Sequence, residues 1–183
     1  MEHHKYGSDP EGLYRDWLEE KAAQSSCIAE VGVLAGTTTL RMAKATSGSI
    51  WAVDHWKGVP GDPVQSAIYK DPSASERLFR RRLKPWIDSG RVTVVKMGSA
   101  RAAAHLMEVV GPEFDLIFID ADHSYKAVKR DVIHWRKLVK HGGILCGHDI
   151  GWPGVRKAVD QEVPGWEAGP GTLWWTRIRR AGR

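Results

Sequence analysis

Five short apolar runs punctuate the chain, at 27–33 (CIAEVGV), 49–54 (SIWAVD), 92–97 (VTVVKM), 115–120 (DLIFID) and 143–148 (GILCGH). Each is dense in β-branched or aromatic residues, as expected of a strand covered on both faces. The segments between them follow a helical period. Over 124–140, the positions Tyr125, Val128, Val132, Trp135 and Val139 share one face, and His141-Gly142-Gly143 offers a stop. Further helical patterns cover 38–45, 74–86, 101–110 and 155–161. This alternation predicts an α/β fold, a mostly parallel sheet with right-handed crossovers and helices on both faces.

The end of the chain breaks the alternation. GWEAGPGTLWWTRI, at 165–178, reads as two strands about a Gly-Pro turn, an antiparallel C-terminal edge hairpin on a Rossmann-like, doubly wound sheet. At 183 residues the chain suits a single domain: an N-terminal extension over 1–25, a core over 26–160, and the edge hairpin with a basic tail over 161–183. One long irregular stretch, HWKGVPGDPVQSAIYKD at 55–71, follows a strand end and is expected to form a lid or substrate wall.

Composition excludes several classes. No run approaches the roughly 18 apolar residues of a membrane span, and MEHHKYGSDPEG has no apolar stretch of a secretory signal. Cys27 and Cys146 sit in apolar strand-like segments and read as reduced core residues, which suits the cytoplasm. The net charge of +5 is concentrated in 76–84 (ERLFRRRLK) and 176–183 (TRIRRAGR). Such runs could meet nucleic acid, but no recognition motif accompanies them, so a solvated helix face is the preferred reading.

The chemistry begins at EVGVLAGTTTL, residues 30–40. In open α/β sheets, ligands bind beyond the carboxyl ends of the strands. Gly32 and Gly36 let backbone pass close to a ligand, and the helix that follows favours a negative group at its start. The dinucleotide fingerprint G-x-G-x-x-G is absent, which argues against NAD. Asp54 ends the second strand, where a carboxylate can accept both hydroxyls of a ribose. Together these features describe a nucleoside site.

The order ExGxxxG, strand-end Asp, GSA, FIDADH and GGILCGHD, spanning residues 26–160, resembles the class I S-adenosylmethionine-dependent methyltransferases. Within them it is similar to the small-molecule O-methyltransferases of the catechol, caffeoyl-CoA, macrocin and cephalosporin-biosynthesis type. The resemblance implies S-adenosylmethionine as cofactor. Glu30, Gly32 and Gly36 would surround its methionine part, Thr38 would hold its carboxylate, Asp54 its ribose, and Gly98, Ser99 and Ala100 its adenine side. Asp120 would face both the cofactor and the reaction. In metal-dependent relatives, positions matching Asp120, His148 and Asp149 hold a divalent cation such as Mg²⁺. A histidine at 148 also suits Mn²⁺, Fe²⁺ or Zn²⁺.

His123 stands where many relatives carry a lysine base, with His148 the second candidate for proton abstraction. Trp56 and Trp152 could wall the acceptor or simply fill the core. The expected activity is O-methylation of a small hydroxylated acceptor, with N-methylation or RNA modification as alternatives. The expected partner is that small molecule, with no membrane association and nucleic acid disfavoured. A homodimer could form through the hairpin, the N-terminal segment or the basic helix.

Overall fold

The computed structural model describes residues 12–58 and 71–179. Its elements in chain order are α1 (Leu13–Ala23), β1 (Cys27–Val31), α2 (Thr37–Ala45), β2 (Ser49–Val53), α3 (Pro72–Asp88), β3 (Val92–Val95), α4 (Ser99–Val109), β4 (Phe114–Ile119), α5 (Tyr125–Trp135), β5 (Val139–Gly147), α6 (Pro153–Glu162), β6 (Glu167–Ala168) and β7 (Trp174–Arg177). They build one seven-stranded sheet in the order β3-β2-β1-β4-β5-β7-β6. The first five strands run parallel, and β7 pairs antiparallel with both β5 and β6. The Rossmann-like, doubly wound reading therefore holds. Of the expected hairpin, β7 lies inside the sheet and only the two-residue β6 forms the edge.

Two apolar layers sandwich the sheet. On one face α4, α5 and α6 cover Ala29, Ile117 and Leu145; on the other α1, α2 and α3 cover Ile28, Leu116 and Cys146. Side chains of successive strand residues point to opposite faces, so a strand buried on both sides must be apolar throughout. That is why the five runs were readable. Cys27 and Cys146 are both free thiols, Cys146 in the core.

One expectation needs correction. The helix predicted over 124–140 stops at Trp135, and the expected stop at His141–Gly143 lies inside β5. Val139, on helical spacing from Trp135, pairs instead with Phe114 across the ladder, and the register then shifts before Leu116 meets Ile144. Pairing with β4 overrides the helical period. The segment 1–25, read only as an extension, carries α1, whose Tyr14, Leu18 and Ala22 form a fully buried stripe.

The basic run at 76–84 lies on α3 and is a solvated face around an apolar seam. Phe79 and Leu83 are buried, while Arg80 pairs with Glu76 and Lys84 with Asp88. Of the expected lid, residues 59–70 lie outside the described residues. No helix among the described residues is long and apolar enough to cross a membrane.

Candidate active site

A cavity of about 600 Å³ opens at the carboxyl ends of β1, β2, β4 and β5. Among the residues singled out from sequence, Gly32, Asp54, Gly98, Ser99, Ala100, Asp120, His123, His148 and Asp149 all line it. Glu30, Gly36 and Thr38 do not. Gly36 turns inward, where an added Cβ would meet Phe79 and Leu83 of α3 at 2.7 and 2.8 Å. Thr38 is buried, its hydroxyl hydrogen-bonded with that of Tyr14. Glu30 lies within β1, 2% exposed, with one carboxyl oxygen unpartnered. Burial pushes its carboxyl up to about 8, and the neighbouring Thr39 hydroxyl offsets this only in part.

The glycine turn is shaped by close approach. Gly32 has φ of 91°, and a Cβ there would stand 2.0 Å from the Asp120 carbonyl oxygen, so the ends of β1 and β4 touch only because Gly32 is bare. Asp54 caps the opposite wall. Its Oδ2 accepts the Leu34 N–H at 2.9 Å and its Oδ1 the Trp56 N–H at 2.7 Å. Trp56 Nε1 donates in turn to the Leu34 carbonyl at 2.7 Å. Leu34 and Trp56 both adopt left-handed backbone, at φ of 47° and 51°. Non-glycine residues held there are uncommon and cluster at functional sites. The result is a carboxylate fixed in place with a lone pair still available on each oxygen. Trp56, 2% exposed, packs on Phe79 in the core.

The cavity lining also holds a polar corner of which the sequence advertised only Ser99. Trp135 Nε1 donates to Ser99 Oγ at 2.8 Å, and the Ser99 hydroxyl bonds the carboxylate of Asp131. Burial raises the pKa of Asp131. Its one sequence signal is an acid beside Val132 on the apolar face of α5.

Elsewhere in the lining, four groups converge. His123 Nε2 lies 2.9 Å from Asp149 Oδ2, and His148 Nδ1 lies 3.3 Å from Asp149 Oδ1 and 4.0 Å from Asp120 Oδ1. Burial raises the pKa of Asp120, partly offset by the nearby His148. Burial also works to raise that of Asp149, but hydrogen bonds from His123 and His148 outweigh it and hold the carboxyl far below the usual range. Two residues from distant sequence complete the corner. Thr172 Oγ1 lies 2.8 Å from His148 Nε2, and the Tyr14 ring packs tilted against that of His148 at 4.1 Å between centroids. Trp152 stacks on His123 at 5.3 Å.

The expected cation ligands were Asp120, His148 and Asp149. The structure gathers Asp120, His123 and Asp149, whose donor atoms lie within 4.8 Å of one another. His148 gives Nε2 to Thr172 and keeps Nδ1 towards both carboxylates, 3.3 Å from Asp149 and 4.0 Å from Asp120. Two carboxylate oxygens and an imidazole at this spacing fit a divalent cation of the Mn²⁺, Fe²⁺ or Zn²⁺ type at least as well as Mg²⁺.

Comparison with known proteins matches this frame. The profile of the methyltransferase domain family covers residues 29–150. The chain is 34% identical over 142 residues to caffeoyl-CoA O-methyltransferase of Populus kitakamiensis, covering 74% of this chain and 52% of that protein. It thus spans about half the length of this curated relative. Two solved structures share the fold. A calicheamicin methyltransferase superposes with a TM-score of 0.64 at 19% identity, over 90% of this chain and 77% of the other. An O-methyltransferase from Bacillus cereus, solved with S-adenosylhomocysteine, gives 0.64 at 16% identity, over 94% and 82%. On the family profile, the sheet order and the glycine turn against β4, the chain belongs to the methyltransferase domain family, with the class I, S-adenosylmethionine-dependent fold.

Proposed function

We propose that this chain methylates a hydroxyl oxygen of a small acceptor, with S-adenosylmethionine as donor. The observation that carries the reading is a single cavity lined both by a fixed carboxylate, Asp54, and by the His123–Asp149 pair. A nucleoside ligand would lie with its ribose hydroxyls on Asp54 and its base towards Ser99 and Asp131. S-adenosylmethionine supplies a methyl already activated on a sulfonium, so transfer breaks the S–CH₃ bond, forms the O–CH₃ bond and frees the acceptor's proton.

The chain must align the oxygen and take the proton. Alignment is worth several kcal/mol, up to about 7 to 11 in ideal cases, and a placed base about 10²- to 10⁴-fold in rate. When His123 Nε2–H donates to Asp149 Oδ2, the basic lone pair of the ring is on Nδ1. Asp149 stabilises the imidazolium that forms. A divalent cation on Asp120, His123 and Asp149 would instead polarise the acceptor hydroxyl and lower its pKa. The free thiols of Cys27 and Cys146 fit a reducing compartment such as the cytoplasm.

A thermal melt with S-adenosylmethionine, S-adenosylhomocysteine and NAD⁺ in turn tests the cofactor. At about 100 times Kd a ligand adds roughly 2.7 kcal/mol, a shift of several degrees. The first two ligands should give the shift and NAD⁺ none. A shift with NAD⁺ alone would overturn the reading. With a catechol acceptor, chelator should abolish turnover and Mn²⁺ restore it if the cation is used; turnover indifferent to chelator leaves the proton to a histidine, His123 before His148.

A further inference from the structure

We propose that Arg15 binds the carboxylate at the amino-acid end of the cofactor, an assignment that rests on the cofactor reading above. The ligand carries one negative and two positive charges at that end: a carboxylate, an ammonium and the sulfonium. The cavity floor beside Gly32 offers Asp120 for the cationic part. It needs a cation for the anionic part. The residue expected to hold that carboxylate, Thr38, is buried and bonded to the Tyr14 hydroxyl, away from the cavity wall.

Arg101 and Arg130 line the cavity on α4 and α5, the helices of Ser99 and Asp131; Arg15 is not itself in the lining but stands against Tyr14, which is. Its guanidinium carbon lies 4.8 Å from the centroid of the Tyr14 ring, and that ring both lines the cavity and packs against His148. Its field reaches Asp120 and favours the ionised carboxylate there. The guanidinium is folded back over the start of α1. Nη1 stands 2.5 Å from the place a Cβ would take on Gly12, so a larger residue there would make the guanidinium shift.

Arg15 is also chemically unspent. Its Nε is buried without a hydrogen-bond partner, and among the described residues no carboxylate stands within 4.0 Å of it. Arg41, close by in the fold, shows the contrast: it grips both Asp16 and Glu19. A buried guanidinium donor left unpaired is unfavourable, and a carboxylate matches its planar fork in two parallel hydrogen bonds. Gly12, at the N-cap of α1, carries no side-chain cap, and the helix field there also favours an anion.

The test compares two nucleoside thioethers by calorimetry. S-adenosylhomocysteine carries the amino-acid end, and 5′-methylthioadenosine lacks it. Arg15→Met keeps the apolar stem over Tyr14 and removes the charge. It should weaken S-adenosylhomocysteine about tenfold or more and leave methylthioadenosine unchanged, with Arg15→Lys intermediate. Unchanged methylthioadenosine affinity also shows that the variant is folded.

An equal effect on both thioethers, or on neither, would overturn the assignment while the cofactor reading stands. A variant that instead loses only preference for 3,4-dihydroxybenzoate over catechol would move the anion to the acceptor and overturn it too. Binding of neither thioether to the unaltered protein would defeat the cofactor reading itself.

Discussion

Thr172 holds the reacting corner from two directions. Its hydroxyl meets His148 Nε2, and its carbonyl accepts the Ile150 N–H at 3.1 Å. Between these anchors, Asp149 is kept in left-handed backbone at φ of 60°, a conformation that costs a non-glycine residue roughly 1 to 2 kcal/mol. Replacing Thr172 by valine preserves shape and removes the hydroxyl. Steady-state kinetics should then show turnover reduced by about tenfold, equivalent to roughly 1.4 kcal/mol, while calorimetry finds cofactor affinity unchanged. Equal turnover would mean that Tyr14 and Asp149 orient His148 without help. Asp54, Asp120, His123 and Asp149 were legible because each ends or closely follows an apolar run, and parallel strands deliver their ends to one crevice. Tyr14, Asp131 and Thr172 were not. Each lies within or beside an element whose local pattern reports burial only, and their polar contacts exist only after distant segments have packed.

The parallel core was legible element by element, since two-sided burial demands continuous apolar runs. The boundary between α5 and β5 was not, because Val139 satisfies a helical period and a strand ladder equally well and only pairing with Phe114 decides. The placement of β7 has a similar logic. Trp174 and Trp175 promise burial, but the sequence does not say that Trp174 will cover Gly147 at the end of β5. A Cβ at Gly147 would stand 2.6 Å from the Trp174 ring and 2.7 Å from the Ile119 carbonyl oxygen. The ring could tilt, but the carbonyl belongs to the central ladder. Gly147→Ala should therefore lower unfolding free energy by about 1 to 3 kcal/mol, the usual cost of overpacking, read from urea denaturation. A neutral result would show that the β5–β7 seam yields more easily than its close contacts imply.

For the whole molecule, Glu30 couples stability to pH. The folded protein holds its proton up to about pH 8, while an unfolded chain releases it near 4.5. Between those values the unfolded state binds fewer protons, so stability falls as pH rises, by at most about 1.4 kcal/mol per unit for this group. Glu30→Gln should flatten that slope, so denaturation curves at pH 5.5 and 7.5 should separate less for the variant than for the parent. Parallel behaviour would mean that Glu30 is ionised in the fold. The corner around His148 has a separate consequence for how the protein comes into being. Tyr14 closes on one side of that ring and Thr172 on the other, so the site unites early and late parts of the sequence. On a ribosome, the parallel strands can emerge and pair before Thr172 has been translated, yet His148 lacks its clamp until then. A partly synthesised chain therefore lacks the Thr172 contact to His148 until β7 and the residues before it have joined the sheet.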